Sequence, residues 1–487
     1  MFGMNLIFRD SNKVIFQKFN LSSFRIKLLT LFLFGFFLRF IPDLLVFQQS
    51  SYPVGFDIIG HYAPTLMGFD PWRLEPLAAP LIYFILKPFV VVFDVFLVLR
   101  ITACVLYGLL AVSAFYFSSN GLNWGERKSF IGSFFLTLQI STLRISLDLF
   151  RIELGIIFFL LLLPWLKNIA SRRSQIVVSL LSLAIVMTHE MISAVAVFVI
   201  IGLILLLLRN RRKNDALRLF LFTLPSLIIF LVMASIGIGI YDVPWGRNAL
   251  TNYFEYYGGS YFVLLGDVSY NVGLYLPFLP LTLIGFWRNR LLFLASLFLL
   301  GTSFSCIFFP WLSLSLWWEW LLLLAIPLIF YAVNGLEKLG LFKKNIRAYA
   351  GLIAVIILFS VYAAIYIPHN MNKSSIDFDD IPNTMGAFDY INNNSDNSSC
   401  LILEERFRGW GLMYFGDNRQ IISYPPGLPY HENYALMRYL NDALETAMEL
   451  NCNEIYLVWY ADMMINYSQF QEIYKSENIG VYKYFVE

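Results

Sequence analysis

Eleven long apolar runs dominate this sequence and favour a bundle of membrane-spanning helices over any other fold. At about 1.5 Å per helical residue, runs of this length suit a hydrocarbon layer roughly 30 Å thick. Of the 487 residues, 58% are hydrophobic and 14% are charged, whereas a soluble domain carries about 25% charged residues. A soluble enzyme is therefore excluded. The runs lie near residues 28–47, 94–117, 129–146, 152–166, 174–188, 191–208, 218–240, 260–286, 291–312, 314–335 and 347–367.

Short clusters of basic residues between the runs predict which loops stay in the cytoplasm. Six clusters hold 21 of the 28 lysines and arginines of residues 1–370, and basic loops tend to remain on the cytoplasmic side. With these clusters inside, eleven spans place the N-terminus in the cytoplasm and residue 370 outside. The clusters lie at residues 9–27, 127–128, 167–173, 209–218, 288–290 and 338–347.

A shorter apolar segment at residues 78–93 contains Lys87 and two prolines. If this segment crossed the membrane, every later basic cluster would fall on the wrong side. We therefore expect a juxtamembrane or re-entrant segment that belongs to the first loop (residues 48–93), outside the cell membrane. The predicted fold is an α-helical polytopic membrane domain over residues 1–370 with about 11 transmembrane helices.

Residues 371–487, the C-terminal domain, differ in charge and pattern. They hold 7 basic and 17 acidic residues, a net charge of −10, against +12 for residues 1–370. Short β-rich runs flank a helical stretch at 432–450, which predicts a small α/β extracytoplasmic domain. Cys400 and Cys452 either pair there or are two buried thiols. Nucleic acid is not an expected partner, because the basic residues lie in short clusters between apolar runs.

The first loop carries a carboxylate and an imidazole four residues apart, Asp57 and His61. On a helix this spacing puts both side chains on one face. A carboxylate beside an imidazole suits the deprotonation of a hydroxyl group. The plain alternative is that a long polar loop simply contains an acid and a histidine.

The second loop (residues 144–155) is very short and places Asp148 and Arg151 close to hydrocarbon. Ionisable groups at such a position are costly and usually functional. A structural ion pair of Asp148 with Arg144 or Arg151 would explain the same residues. Both interpretations stay open from the sequence alone.

Further candidates lie in later turns on the predicted outer side. His189 and Glu190 form a turn without glycine or proline and could bind a sugar, support Asp148 or complete a metal site. Carboxylates and imidazoles are ligand types that Mg²⁺ or Mn²⁺ accepts, yet no close-spaced metal motif is present. The sequence therefore leaves a divalent metal open as a cofactor. Arg247 is the lone basic residue of its loop, where it could bind a phosphate or extend to the membrane interface.

An aromatic stretch, Trp317-Trp318-Glu319-Trp320, begins an apolar run at its outer end. Tryptophans at such an end are typical of an interfacial aromatic belt. Aromatic faces also stack on sugars. We expect the belt, with the sugar-stacking interpretation as the alternative.

The loop motifs resemble those of the GT-C superfamily of membrane glycosyltransferases. An aspartate follows the first span in Gly55-Phe56-Asp57, and a second aspartate, Asp148, lies in the short loop SLDLFRIELG as part of Asp-x-x-Arg before a glycine-containing apolar helix. Many spans and an outer C-terminal domain follow. The arrangement is similar to protein O-mannosyltransferases and to the lipid A aminoarabinose transferase, and most similar to prokaryotic, especially archaeal, members.

This resemblance implies a role for three residues. Asp57 would be the general base, Asp148 would help to position the acceptor or a metal, and Arg247 would hold a lipid phosphate. His61, Arg151, His189 and Glu190 complete the candidate substrate-binding set. The Trp-Trp-Asp-Tyr-Gly and Asp-x-Asp signatures of oligosaccharyltransferases are absent from the corresponding parts of the sequence, which disfavours transfer to asparagine.

The implied reaction is transfer of a hexosyl or pentosyl group from a polyprenyl-phosphate-linked sugar to a glycan, lipid or protein acceptor. The alternative is a polytopic transporter or a flippase for lipid-linked sugars. A transporter would place ionisable groups near the bilayer midplane. Here most of them cluster at one predicted face, which favours the transferase.

Overall fold

The structure, a computed structural model, describes residues 21–46, 53, 55, 57–68, 80–236, 250–251, 260–273, 278–287, 289–311, 313–314, 317–340, 351, 354, 376, 379–424, 433–461 and 469–484. The part up to residue 340 is a bundle of apolar helices joined mostly by short turns. Its helices are α1 (Leu21–Val46), α2 (Ala63–Met67), α3 (Leu81–Val90), α4 (Val95–Tyr116), α5 (Glu126–Thr137), α6 (Ile140–Asp148), α7 (Phe150–Trp165), α8 (Arg172–Val186), α9 (Glu190–Arg209), α10 (Lys213–Ile236), α11 (Tyr261–Gly273), α12 (Leu279–Gly285), α13 (Arg290–Ser303), α14 (Ser305–Phe308) and α15 (Trp317–Lys338).

Membrane-spanning length is reached by four of the described helical segments: Val95–Gly121, Glu190–Arg209, Lys213–Met233 and Glu319–Lys338. A bent pair, α5 with α6, would make a fifth span. The prediction of an α-helical membrane protein is confirmed. The number of eleven spans stays a prediction, because several predicted runs fall partly outside the described residues.

The break between α5 and α6 divides a stretch that the sequence predicts as one span, residues 129–146. The two helices meet at 60°. A helix break inside a bundle leaves carbonyl groups without helical partners. Thr142 supplies one, since its Oγ1 donates to the carbonyl oxygens of Leu136 at 2.5 Å and Gln139 at 2.8 Å. The break points the end of α6 toward the first loop.

Helix α3 confirms that the segment at residues 78–93 contains a helix too short to span. Its ten residues rise about 15 Å, half of a hydrocarbon layer. The backbone N–H of Leu81 donates to the carbonyl of Met187 at 3.0 Å, and Lys87 donates to the carbonyl of Leu66. These bonds hold α3 beside α2 and the end of α8.

The described part of the C-terminal domain is a mixed five-stranded sheet with helices on both faces. The strand order is β4-β3-β5-β7-β6, parallel for the first two pairings and antiparallel for the last two. The predicted small α/β domain is therefore confirmed. Its elements are α16 (Asp380–Asn394), β3 (Cys400–Glu404), α17 (Glu405–Phe415), β4 (Gln420–Tyr424), α18 (Asn433–Glu449), β5 (Ile455–Tyr460), β6 (Phe470–Ser476) and β7 (Ile479–Tyr484). A separate two-residue pairing joins β1 (Leu250–Thr251) to β2 (Ser313–Leu314).

Strand β3 shows how the sheet separates two cores. Cys400 and Ile402 pack with α18, whereas the alternate residues Leu401 and Leu403 belong to the large core that continues into the membrane bundle. This alternation is the two-residue period of a strand with both faces covered. Cys400 also forms a disulfide with Cys452, so the structure selects pairing over two buried thiols.

Candidate active site

Asp57 and His61 lie together on the first loop. Asp57 immediately precedes a π-helical turn, Ile58–Tyr62, that continues into α2. Its Oδ1 lies 3.7 Å from Nε2 of His61, and the two side chains are 21% and 18% exposed. The spacing of four residues thus brings the carboxylate and the imidazole to one side, both partly open to solvent.

Asp148 is the last residue of α6, and its carboxylate is paired with Arg144 one turn earlier. Only 3% of Asp148 is exposed. Arg144 also interacts electrostatically with Asp57 and Glu319. The ion pair that the sequence left as an alternative therefore exists, and its arginine links both candidate aspartates.

The first and second loops touch through Gly55. A Cβ atom at this position would lie 2.7 Å from Cβ of Asp148 and 2.8 Å from the carbonyl oxygen of Leu147. Its φ of +140° is also a conformation that side chains rarely adopt. Only glycine lets the chain pass so close to Asp148, two residues before Asp57.

Arg39 of α1 forms hydrogen bonds with the end of α6, within the second loop. Its Nε donates to the carbonyl of Ser146 at 2.8 Å, and its Nη2 donates to that of Leu147 at 3.3 Å. These carbonyls belong to the last turn of α6, where helical partners run out. Arg39 thus holds the end of α6, the helix that carries Asp148.

Arg151 lies against Tyr62 at the start of α7. Its backbone N–H donates to the Tyr62 hydroxyl at 3.2 Å, and its guanidinium carbon lies 6.0 Å from the ring centre. Tyr62 also stacks on Phe150 at 5.1 Å. Burial raises the pKa of Tyr62 well above its ordinary value, so the phenol stays protonated. These contacts fasten the π-helical turn to α7.

His189 and Glu190 begin α9. The Nδ1 atom of His189 accepts a hydrogen bond from the backbone N–H of Met191 at 3.2 Å, as an N-cap. In the neutral ring this bond puts the proton on Nε2. Glu190 Oε2 lies 3.6 Å from Nδ1, which is then a contact between two acceptors. His189 therefore has a capping role whatever else it binds.

Glu319 is a member of the site that the sequence did not single out. Its carboxylate interacts electrostatically with Asp57, Glu190 and Asp148, and with Arg144. The signal was present, since an acid in the first turn of an apolar helix faces the same end as the two loops. Among the described residues, Asp57, Asp148, Glu190 and Arg144 thus lie close enough to Glu319 to interact with it electrostatically.

Trp317 and Trp320, on either side of Glu319, are buried at 0% and 2% exposure. The ring of Trp320 packs edge-on against Phe298, with the centres 5.9 Å apart. The expected belt at the membrane interface is therefore wrong for these two side chains. They pack inside the bundle and support the first turn of α15.

Glu153, in the first turn of α7, lies inside the bundle. It is fully buried, and neither of its carboxylate oxygens has a hydrogen-bond partner among the described residues. It interacts electrostatically with Arg39. The helical turn from Arg151 to Glu153 carries the side chain away from the loops.

Two expectations are not resolved by this geometry. Arg247 lies outside the described residues, so its proposed phosphate contact stays a prediction. Within the described ranges, no three His, Cys, Asp or Glu side chains are arranged to hold a metal ion. The divalent metal that the sequence leaves open as a cofactor therefore stays a prediction.

Known proteins resemble this chain in structure rather than in sequence. No family model and no curated protein sequence matches the chain. Among solved structures, ArnT from Cupriavidus metallidurans, bound to undecaprenyl phosphate, aligns with a TM-score of 0.54 and 12% identity, over 95% of this chain and 98% of ArnT. The arabinofuranosyltransferase AftD from mycobacteria aligns with a TM-score of 0.50 and 14% identity, over 95% of this chain and 40% of AftD. The fold of this chain is therefore the one that it shares with ArnT and AftD.

Proposed function

We propose that this protein transfers a sugar from a polyprenyl-phosphate donor to an acceptor at the extracytoplasmic face, with Asp57 as general base. The observation that carries the proposal is the difference between the two loop aspartates. Asp57 is partly exposed, whereas Asp148 is almost fully buried and paired with Arg144. Asp57 is thus the carboxylate that a substrate can reach, and Asp148 sets the position of Arg144 beside it.

The chemistry follows from this arrangement. Asp57 takes the proton of the acceptor hydroxyl as the acceptor oxygen bonds to the anomeric carbon. The bond from that carbon to the phosphate oxygen breaks, and polyprenyl phosphate leaves with the electron pair. Because Asp57 activates the acceptor for direct displacement and forms no bond to the sugar itself, the configuration at the anomeric carbon is inverted. Positive charge near the leaving phosphate would come from Arg144 and, as the sequence predicts, from Arg247.

The remaining candidates divide into supporting and contacting groups. Arg151 fastens the π-helical turn, and His189 caps α9, so both shape the site through the backbone. His61 lies beside the carboxylate that would accept the proton. Substrate contacts of these three side chains and of Glu190 are part of the proposal.

Structural neighbours support the donor class. ArnT was solved with undecaprenyl phosphate, and AftD is an arabinofuranosyltransferase. A lipid phosphate is also the natural leaving group outside the cell, where nucleotide sugars are not supplied. Both pentosyl and hexosyl donors fit this proposal, and the acceptor is a glycan, a lipid or a protein.

The disulfide supports an extracytoplasmic C-terminal domain. Disulfides persist in oxidising compartments and are rare in the cytosol. The Cys400–Cys452 bond therefore agrees with the topology that the basic clusters predict. In that topology the protein spans the cell membrane with its N-terminus inside, and the site faces outward.

The test uses the purified full-length protein in liposomes. The probes are undecaprenyl-phosphate-linked mannose, glucose and arabinose, offered with an acceptor extract of the host envelope. Released undecaprenyl phosphate and glycosylated product are measured by mass spectrometry. Asp57→Asn should lower turnover at least about 100-fold, the usual share of a general base.

Asp94→Asn is the matched control, because Asp94 is a carboxylate that directly follows the first loop. Asp94 caps α4 by accepting from the N–H of Leu97 at 2.9 Å, and asparagine caps a helix as well as aspartate does. This variant should turn over like wild type. If folded Asp57→Asn kept full activity, Asp57 could not be the general base. Movement of an unmodified lipid-linked sugar across the bilayer without transfer would select a flippase instead.

A further inference from the structure

The C-terminal domain meets the first loop through a backbone contact without any intervening side chain. A Cβ atom on Gly409, in α17, would lie 2.1 Å from the carbonyl oxygen of Ile59 and 2.9 Å from Cα of Gly60. Both atoms belong to the π-helical turn that follows Asp57. The two elements therefore approach as closely as glycine permits.

Space, rather than conformation, requires the glycine at this position. Gly409 lies inside α17, and its φ is not among the positive values of the described chain. Alanine would fit the helix, but its Cβ would overlap the turn. To restore a 3.0 Å separation from the Ile59 oxygen, helix and turn would have to part by about 0.9 Å.

The surroundings make the contact rigid. Phe407 and Trp410, on either side of Gly409, are 0% and 1% exposed and belong to the same apolar core as Ile58 and Ile59. The turn is also held from the other side, where Gly55 packs on Asp148. A displacement at Ile59 therefore has few ways to be absorbed before it reaches Asp57, two residues earlier.

We infer that the C-terminal domain positions the catalytic carboxylate, with Gly409 as the positioning residue. This inference rests on the proposed function of Asp57. Misplacing a reacting group by about 1 Å can cost roughly 100-fold in rate. Docking of α17 thus sets the turnover of a site that lies entirely on the membrane domain.

Gly411 provides the matched control. It lies on the same helix, but a Cβ there would meet Cδ1 of Leu403 at 2.4 Å and Cδ1 of Ile421 at 3.4 Å. These are ends of flexible side chains within the C-terminal domain. Gly411→Ala therefore disturbs the domain's own packing and leaves the contact with the turn unchanged.

The experiment compares Gly409→Ala, Gly409→Val and Gly411→Ala in the full-length protein. Hydrogen–deuterium exchange of residues 57–67 reports the turn directly, and the liposome assay with undecaprenyl-phosphate-linked sugars reports turnover. We expect faster exchange and a kcat lowered about tenfold for alanine and about 100-fold for valine, with KM changed less than about twofold. Gly411→Ala should match wild type in both measurements. If Gly409→Val fails to fold, Gly409→Ala alone provides the test.

Unchanged exchange of the turn in Gly409→Ala would overturn the inference. Faster exchange with unchanged kcat would also overturn it, because the turn would then move without consequence for Asp57. If wild type consumes no lipid-linked sugar, the proposed function fails by itself. The exchange data then still decide whether α17 holds the turn.

Discussion

Arg39 and Asp43 form an ion pair, with 2.7 Å between Nη1 and Oδ2, that is almost completely shielded from solvent. Asp43 also lies 4.0 Å from Nε of Arg100. Because Arg39 donates in addition to two carbonyls at the end of α6, the pair links α1 to the segment that ends at Asp148. Buried ion pairs that also satisfy backbone groups are costly to break from one side.

Arg39→Leu should destabilise the protein by about 3–5 kcal/mol, because it leaves the Asp43 carboxylate buried and the α6 carbonyls without their donor. Thermal unfolding in detergent measures this. Arg39→Leu combined with Asp43→Leu removes both charges of the pair and should recover part of the loss, because the buried carboxylate is gone. Equal melting temperatures for the single and the double variant would contradict this account.

His61→Gln should lower turnover about tenfold without abolishing it, because the imidazole that lies 3.7 Å from Asp57 orients the carboxylate rather than reacting itself. Steady-state kinetics measure the effect. If the two residues act together, Asp57→Asn with His61→Gln should be no worse than Asp57→Asn alone. A multiplicative loss in the double variant would show that they act separately.

Much of this fold could be predicted because membrane helices and strands have strong periodic signals. The apolar runs and the short β-rich run of β3 need only the local sequence, whereas the split of β3 between two cores appears only in the structure. The bend between α5 and α6 could not be predicted, since no glycine or proline lies between Thr137 and Ile140 to mark a helix end. The polar groups at the bend find their partners only in the folded chain, where Thr142 Oγ1 donates to the Leu136 carbonyl and the Gln139 side chain caps α6.

The site was predictable in part for a similar reason. Asp57 and Asp148 stand out as acids beside hydrocarbon, but the partner of Asp148 was ambiguous between two arginines at helical spacing. Helix α6 ends at Asp148, so Arg144 lies on its face while Arg151 belongs to α7. Glu319 was overlooked because it is far from both aspartates in sequence, and only the packing of α15 brings it within electrostatic range of them.

Removing the Cys400–Cys452 disulfide should destabilise the C-terminal domain by about 4 kcal/mol. The bond closes a separation of 52 residues, and the chain entropy of a denatured loop of that length gives a value of this size. Thermal unfolding of Cys400→Ala with Cys452→Ala measures the loss. Cys104→Ala with Cys306→Ala, at the two buried free thiols, is the control for cysteine removal and should leave the response to dithiothreitol unchanged. Insensitivity of wild type to dithiothreitol after unfolding and refolding would contradict a stabilising disulfide.

Glu454 should make the C-terminal domain sensitive to acid. Hydrogen bonds from Lys483 and from the Tyr456 hydroxyl, the latter at 2.7 Å, lower the pKa of Glu454. The bond to Glu454 likewise raises the pKa of Lys483. The stabilisation from Glu454 is therefore complete above the unfolded carboxyl pKa of about 4.3 and is lost as pH falls through the lowered value. That from Lys483 is complete below about 10.4 and is lost as pH rises through the raised value.

Glu454→Gln should consequently lower the melting temperature most between about pH 5 and pH 10, where both groups are charged. The glutamate is 33% exposed, so screening by solvent keeps the effect below about 1 kcal/mol. Differential scanning fluorimetry from about pH 3, below the ordinary carboxyl pKa, to about pH 8, where the carboxyl group is fully charged, measures the difference. Glu445→Gln, an exposed glutamate on α18, is the control and should show no pH-dependent difference. A deficit in Glu454→Gln that stays constant down to the lowest pH would mean that packing, and not the charge pair, stabilises this edge of the sheet.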